Sequence, residues 1–97
     1  MFLRRKGGYE MSYLIITVGS ITNAVRLEKK INSIGIINAA VIHTPSQINS
    51  GGCSYSVRVP YKYYDAVGQL LSDKKIKYKK LYLEEEADGE RVWRDLS

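Results

Sequence analysis

The chain has 97 residues, an apolar fraction of 44% and a net charge of +5, from 15 basic and 10 acidic side chains. This length suits one small domain with little stability to spare. No apolar run approaches the roughly 18 residues of a membrane-spanning helix, and no signal peptide is recognisable, so we expect a cytoplasmic protein.

Three segments are expected along the chain. Residues 1–11 precede the first patterned run, and we expect them to be a disordered extension. Residues 12–84 contain every predicted helix and strand and form the domain. Residues 85–97 are expected to be a C-terminal tail with a turn at Asp88-Gly89 and the only tryptophan, Trp93. That tryptophan could pack on the sheet or on a neighbouring molecule.

The first half of the domain has the pattern strand, helix, strand. Tyr13–Val18 is short, β-branched and apolar on both faces, as in a central strand. Ser20 is expected to cap a helix, because its hydroxyl can accept from an amide of the first turn. Apolar residues at helical spacing continue that helix to Gly35, whose left-handed conformation would end it. A second strand begins near residue 38 and ends at His43, before a Thr-Pro step.

The second half has the pattern strand, helix, strand. Alternation up to Pro60 predicts a half-buried strand, and residues 61–73 are expected to form a helix after that proline. Residues 75–84 are expected to be the last strand, with a bulge near Lys79 and Lys80. The order β-α-β-β-α-β predicts an α+β, ferredoxin-like split β-α-β sandwich, with a four-stranded antiparallel sheet and two helices on one face.

The only cysteine, Cys53, directly follows Gly51 and Gly52. A single cysteine cannot form an internal disulfide, which fits a reducing compartment. In the predicted topology it enters the sheet at the edge where the first helix begins and where Lys74 and Lys75 arrive. A helix N-terminus and nearby cations lower the pKa of a thiol, so Cys53 is the candidate nucleophile.

Other interpretations of these residues stay open. A lone cysteine can be an inert buried hydrophobe. Gly51 and Gly52 can be an ordinary loop, or can let an anion or a partner approach the backbone. His43 could exchange a proton with the thiol of Cys53, or could simply bond to backbone or water. One cysteine and one histidine cannot supply a zinc site, and glycine-rich phosphate or dinucleotide motifs are absent, so no metal and no cofactor are predicted.

A lysine-rich run covers residues 74–80 and is interleaved with tyrosine. Aromatic residues on an exposed sheet can bind RNA. However, the aromatic strand motif of RNA-recognition domains is missing, and five acids follow within residues 84–90. We interpret the run as an edge strand protected by lysine. RNA binding is therefore a third hypothesis, and neither nucleic acid nor membrane is an expected partner.

The stretch P-S-Q-I-N-S-G-G-C-S-Y-S-V-R, residues 45–58, carries a family resemblance. Together with the preceding strand and helix, it resembles the sulfur/selenium (Se/S) carrier protein-like family. The resemblance covers about residues 12–75. It implies that Cys53 bears sulfur or selenium and that Pro45, Gly52 and Arg58 lie around it.

The resemblance implies a carrier protein rather than a stand-alone enzyme. The carrier would hold a persulfide or selenopersulfide on Cys53 and relay it from a donor, such as a cysteine desulfurase, to an unknown acceptor. Many members have glycine after this cysteine and some have a second cysteine. Here Ser54 follows and no second thiol exists, so an internal resolving disulfide is impossible.

Two hypotheses follow from the sequence. In the carrier hypothesis the helix amides after Ser20 stabilise the anion on Cys53, and Arg58, Lys74 or Lys75 supports it. The alternative is a non-catalytic protein-protein interaction or dimerisation module. It is motivated by the first strand, which is apolar on both faces although the predicted helices cover only one.

Overall fold

A computed structural model describes residues 12–49, 51–52 and 54–97 of the chain. Residues 1–11, where an extension was predicted, and Cys53 lie outside the described residues. The described elements are β1 (Tyr13–Val18), α1 (Ile21–Ser33), β2 (Ala40–His43), β3 (Tyr55–Pro60), a 3₁₀ turn (Tyr61–Tyr63), α2 (Tyr64–Leu71), β4 (Lys80–Ala87) and β5 (Glu90–Asp95).

The five strands form one antiparallel sheet in the order β2-β3-β1-β4-β5. β1 is central because it is apolar on both faces, and it pairs with β3 on one side and β4 on the other. Ile16 lies opposite Val57 and Leu81, which fixes the face that each strand turns to the helices. The prediction of β1 at Tyr13–Val18 is confirmed.

α1 begins and ends where its caps predict. The Ser20 hydroxyl accepts a hydrogen bond from the backbone N–H of Asn23 at 3.1 Å, and Gly35, just past the end, has φ +97°. The helix buries Ala24, Leu27 and Ile31. Neither described helix is long and apolar enough to cross a membrane.

The apolar core lies between the two helices and one face of the sheet. Burying these aliphatic side chains provides the main driving force for folding, at roughly 25 cal/mol per Å² of apolar surface removed from water. The core residues are Leu14, Ile16, Val18, Ala24, Leu27, Ile31, Ile36, Val57, Val59, Val67 and Leu71.

The opposite face of the sheet contains a charged cluster centred on the buried Glu84. One carboxylate oxygen of Glu84 contacts Arg58 Nη2 at 3.2 Å and Arg91 Nη1 at 2.9 Å. The other oxygen accepts from the indole N–H of Trp93 at 2.9 Å. The Arg58 guanidinium also stacks 4.0 Å from the centre of the Tyr13 ring. We call this set the Glu84 cluster, and it joins β5 to β4, β1 and β3.

The chain is α+β as expected, but the predicted four-stranded β-α-β-β-α-β sandwich is wrong. Glu90–Asp95 adds a fifth strand through a hairpin at Asp88-Gly89, where both residues have positive φ. That two-residue turn geometry favours a tight hairpin. The turn at these residues was expected, but the strand after it was not, because it is charged along most of its length.

The last predicted strand also begins too early. β4 starts at Lys80, so residues 75–79 form a loop and the predicted bulge is not needed. Because β4 lies between β1 and β5, it is not an edge strand, and the interpretation of the lysine run as edge protection is wrong. Lysines alternating with Ile76 and Tyr78 imitate a strand pattern, yet Ile76 packs against the core from a loop.

Candidate functional site

Several elements meet at one edge of the sheet, which we call the Gly19 edge. β1 and β2 end there, and α1, β3 and β4 begin there. Tyr55 lies opposite both Val18 and His43 in the sheet register. Lys80 lies opposite Thr17. The antiparallel order of the sheet therefore brings together chain segments that are far apart in sequence.

The N-terminus of α1 contributes partial positive charge to this edge, because first-turn amides lack partners within the helix. Ser20 uses its hydroxyl to cap Asn23 and its carbonyl to accept from Ala24 at 3.0 Å. α1, all of whose residues are described, has no acidic side chain in its first turn. The charge of the helix end is therefore not neutralised within the helix itself.

The two ends of the loop between β2 and β3 are held together by hydrogen bonds. The Thr44 N–H donates to the Ser54 carbonyl at 2.9 Å, and the buried Thr44 and Ser56 hydroxyls lie 2.7 Å apart. Between these two ends, Gly51 and Gly52 are exposed and have φ +37° and +83°. An L-residue would be strained at either position. Glycine is therefore required by the backbone of the segment that leads into Cys53.

His43 lies at the same edge and is exposed. Its ring lies 5.1 Å from the ring of Tyr55, centre to centre, in a tilted arrangement. The contact follows from the register, which places the two residues opposite each other on neighbouring strands. Its predicted proton exchange with Cys53 stays a prediction, because the thiol lies outside the described residues.

The lysines reach the edge in a different way from the prediction. Lys79 arrives there: its N–H donates to the Thr17 carbonyl at 2.7 Å, and its Cε would lie 3.4 Å from a Cβ added at Gly19. Lys75 instead lies beside α1, in the groove described below. Lys74 is exposed. Sequence reasoning missed Lys79 because it placed the start of the strand five residues early.

Arg58 is engaged elsewhere. It belongs to the Glu84 cluster, on the sheet face away from the helices. It lies four residues after Ser54, roughly 13 Å along an extended strand. Its side chain is 31% exposed, and its Nε is buried with no hydrogen-bond partner. The structure therefore brings Ser20, His43 and Gly52 to one edge and leaves Arg58 in another cluster.

A basic groove runs between α1 and the loop before β4. It has a volume of about 570 Å³, and a second hollow of about 360 Å³ shares Asn23, Ile76 and Lys77 with it and extends to Gly19 and Lys79. The groove is lined by Asn23, Arg26, Leu27, Lys29, Lys30, Ser33, Lys75, Ile76 and Lys77. Sequence reasoning missed this site, because its two walls, residues 23–33 and 75–77, are far apart in the sequence.

The described residues contain no cluster of three or more histidine, cysteine, aspartate or glutamate side chains that could hold a metal ion. The carboxylate at the centre of the Glu84 cluster is already saturated by arginine and tryptophan donors. The groups that the fold brings to the Gly19 edge are therefore a helix N-terminus, the exposed imidazole of His43, a glycine-rich loop and Lys79.

Fold and edge together define a small α+β domain with a glycine-rich loop and a helix N-terminus at the same edge of the sheet. The profile of the family described as "Putative Se/S carrier protein-like" matches residues 13–83. The chain therefore belongs to this family, and the resemblance seen in the sequence is confirmed. The matched range ends within β4, so β5 lies beyond it. No curated protein and no solved structure matches the chain.

Proposed function

We propose that this protein carries sulfur or selenium on Cys53 and passes it between partner proteins. The observation that supports this most directly is the family match over residues 13–83, a range that includes the only cysteine. The glycine-rich loop and the N-terminus of α1 give further support. Both suit an anion that must be reached by a second protein.

The relay needs two displacements and no oxidant. The Cys53 thiolate attacks the outer sulfur of a donor persulfide. A new S–S bond forms at Cys53, the S–S bond of the donor breaks, and its electron pair leaves on the donor thiolate. An acceptor thiolate then attacks the outer sulfur and returns Cys53 as a thiolate. Selenium would follow the same course through a Se–S bond.

A donor of the cysteine desulfurase class would supply the persulfide, and a reducing cytoplasm would keep the thiol free between cycles. Because the sequence contains a single thiol, the loaded Cys53 cannot be resolved within the chain. The carrier must therefore be unloaded by a nucleophile on another molecule, which makes partner docking part of the function.

Intact-mass spectrometry tests the proposal. After incubation with a cysteine desulfurase and cysteine, the wild type should gain the mass of sulfur, and a thiol reductant should remove it. Cys53→Ser should gain nothing. Absence of added sulfur on the wild type, or an adduct that survives in Cys53→Ser, would overturn the carrier function.

Two glycine variants sharpen this test. Gly52→Ala and Gly35→Ala both place a side chain at positive φ in open space, so they carry similar backbone strain. Only Gly52 adjoins Cys53. We expect sulfur loading to slow in Gly52→Ala and to stay near the wild-type rate in Gly35→Ala. Equal rates in the two variants would show that the loop conformation has no part in loading.

A further inference from the structure

The basic groove beside α1 holds cations that have no acidic partner. The described chain contains four ion pairs, and none of them uses a cation of the groove: the pairs use only Arg58, Lys80, Arg91 and Arg94. None of the residues lining the groove is acidic. The cations lining it are Arg26, Lys29, Lys30, Lys75 and Lys77.

The backbone of both walls of the groove is held in place by hydrogen bonds within the protein. Its loop wall is held by a turn in which Asp73 accepts from the backbone N–H of Lys75 at 2.9 Å and from that of Ile76 at 3.0 Å. At its other end, the Lys79 N–H donates to the Thr17 carbonyl. Its opposite wall is one flank of α1, where Arg26, Lys29 and Lys30 recur at helical spacing. Because the backbone of these walls is already ordered, binding would not require a further loss of backbone entropy there.

The floor of the groove is aliphatic. Leu27 and Ile76 line it between the cations. Leu27 is only 2% exposed, so the apolar surface left to water is mainly that of Ile76, which is partly buried against the core. Like charges that surround an aliphatic strip are unfavourable in the free protein, because they repel one another and leave apolar surface in water. Both costs would be relieved by an occupant that carries carboxylates and an aliphatic side chain.

We propose that this groove is the docking site for an acidic segment of a partner protein. Carboxylates of that segment would pair with the lysines on both walls, and an aliphatic side chain would lie over Ile76. The groove shares Asn23, Ile76 and Lys77 with the hollow at Gly19 and Lys79. An occupant that extends from the groove into this hollow would therefore reach the edge where the glycine-rich loop begins and ends. Identifying the partner as a donor or acceptor of sulfur rests on the proposed function, but the docking itself does not.

Charge complementarity also argues against a second copy of this chain. Its longest acidic run lies in β4, a strand that is paired on both sides, and two of its glutamates, Glu84 and Glu85, already pair with arginine. The net charge of +5 adds repulsion between copies. RNA fits less well because its bases stack on aromatic rings: no aromatic side chain is among the residues that line the groove, and the adjoining hollow is lined by a single one, Tyr78.

Fluorescence anisotropy with a labelled synthetic peptide tests the docking. The peptide is rich in glutamate, with leucines at helical spacing. We expect saturable binding that weakens with added salt. Replacing its leucines by serine should weaken binding, because the aliphatic floor would lose its contact. Binding that is indifferent to the leucines would overturn the proposal.

A matched pair of charge reversals locates the site. Lys77→Glu lies in the groove, and Lys62→Glu lies on the exposed 3₁₀ turn after β3, so both change net charge equally. We expect Lys77→Glu to weaken peptide binding about tenfold and Lys62→Glu to change it less than about twofold. Equal effects would show that only overall charge matters and would overturn the groove. If a single-stranded RNA bound more strongly than the peptide and this binding were lost in Lys77→Glu, the groove would be a nucleic-acid site and the proposal would be overturned.

A comparison of Cys53→Ser with Lys77→Glu tests the carrier function and the docking site separately. Cys53→Ser should bind the peptide as the wild type does, although it takes up no sulfur. Lys77→Glu should still accept sulfur from inorganic polysulfide but should load more slowly from a protein donor. Peptide binding with no sulfur uptake would leave docking intact and overturn the carrier. Sulfur uptake with no peptide binding would leave the carrier function intact and overturn the docking site.

Discussion

Two clusters of positive charge lie on opposite sides of this small domain, and they differ in how their charge is compensated. In the Glu84 cluster, two arginines and an indole N–H converge on one carboxylate that is 5% exposed. In the basic groove, five cations line the walls and no acid lies among the residues that line it. In the first cluster, the chain itself supplies a carboxylate that both arginines contact. The second is electrostatically incomplete, which is typical of a surface that binds another molecule.

The comparison shows that counting charges does not separate structure from function. Both clusters contain basic side chains beside apolar surface, and both lie near tyrosine. What differs is whether the chain itself supplies the counter-charge. A buried charge must be paired within the fold. Exposed charges are solvated by water, so they can remain unpaired until another molecule binds. Substitutions in the two clusters should therefore change stability in opposite directions.

The largest effect is expected for Glu84→Gln. The amide keeps the shape of the side chain but removes the negative charge that Arg58 and Arg91 both contact. Breaking a fully buried ion pair costs about 3–5 kcal/mol. Because these arginines are partly exposed, we expect a loss of roughly 2 kcal/mol in the free energy of unfolding, measured by urea denaturation. Glu86→Gln is the control on the same face of β4, where exposure should limit the change to about 0.5 kcal/mol. Similar losses in both variants would contradict a special role for the Glu84 cluster.

A smaller effect of opposite sign is expected in the groove. Arg26 lies one helical turn from Lys29 and Lys30 on α1, and like charges at this spacing repel by about 0.2–0.5 kcal/mol. Arg26→Gln should therefore raise the free energy of unfolding by a few tenths of a kcal/mol. The gain should fade in high salt, which screens the repulsion between exposed cations. A loss of stability in this variant would mean that Arg26 has a compensating partner.

The smallest effect concerns the exposed pair that joins the start of β4 to the end of β5. Lys80 Nζ lies 3.0 Å from Asp95 Oδ2. The pKa of Asp95 is lowered from its usual 3.8, first by the backbone N–H of Ser97 and then by Lys80. The hydrogen bond and charge of Asp95 raise the pKa of Lys80 above its usual 10.5.

The signs of these pKa shifts define a pH window. The contribution of Asp95 is present above its unfolded pKa and is lost as pH falls through the lowered folded value. The contribution of Lys80 is present below 10.5 and is lost as pH rises through its raised folded value. Asp95→Asn should therefore be less stable than the wild type near neutrality, and the two should converge in acid. A difference that persists below about pH 2 would show that this carboxylate makes no such contribution.

Features that depend only on neighbouring residues could be predicted without a structure. The apolar run of β1, the Ser20 cap and Gly35 define two elements correctly, because strand pleating and helix capping act over a few residues. The lone Cys53, its two preceding glycines and the family resemblance could also be recognised without a structure. The same local patterns misled at Ile76 and Tyr78, where alternation in a loop imitated a strand.

Contacts between distant parts of the chain produce the fifth strand, the Glu84 cluster and the basic groove. β5 has charged residues along most of its length, so hydrophobic periodicity gives it no signal, and it is held by pairing with β4 and by Trp93 bonding to Glu84. The groove exists because the loop at residues 75–79 lies against a helix at residues 21–33. Spatial proximity between distant segments depends on the whole sheet order, and no short stretch of sequence records it.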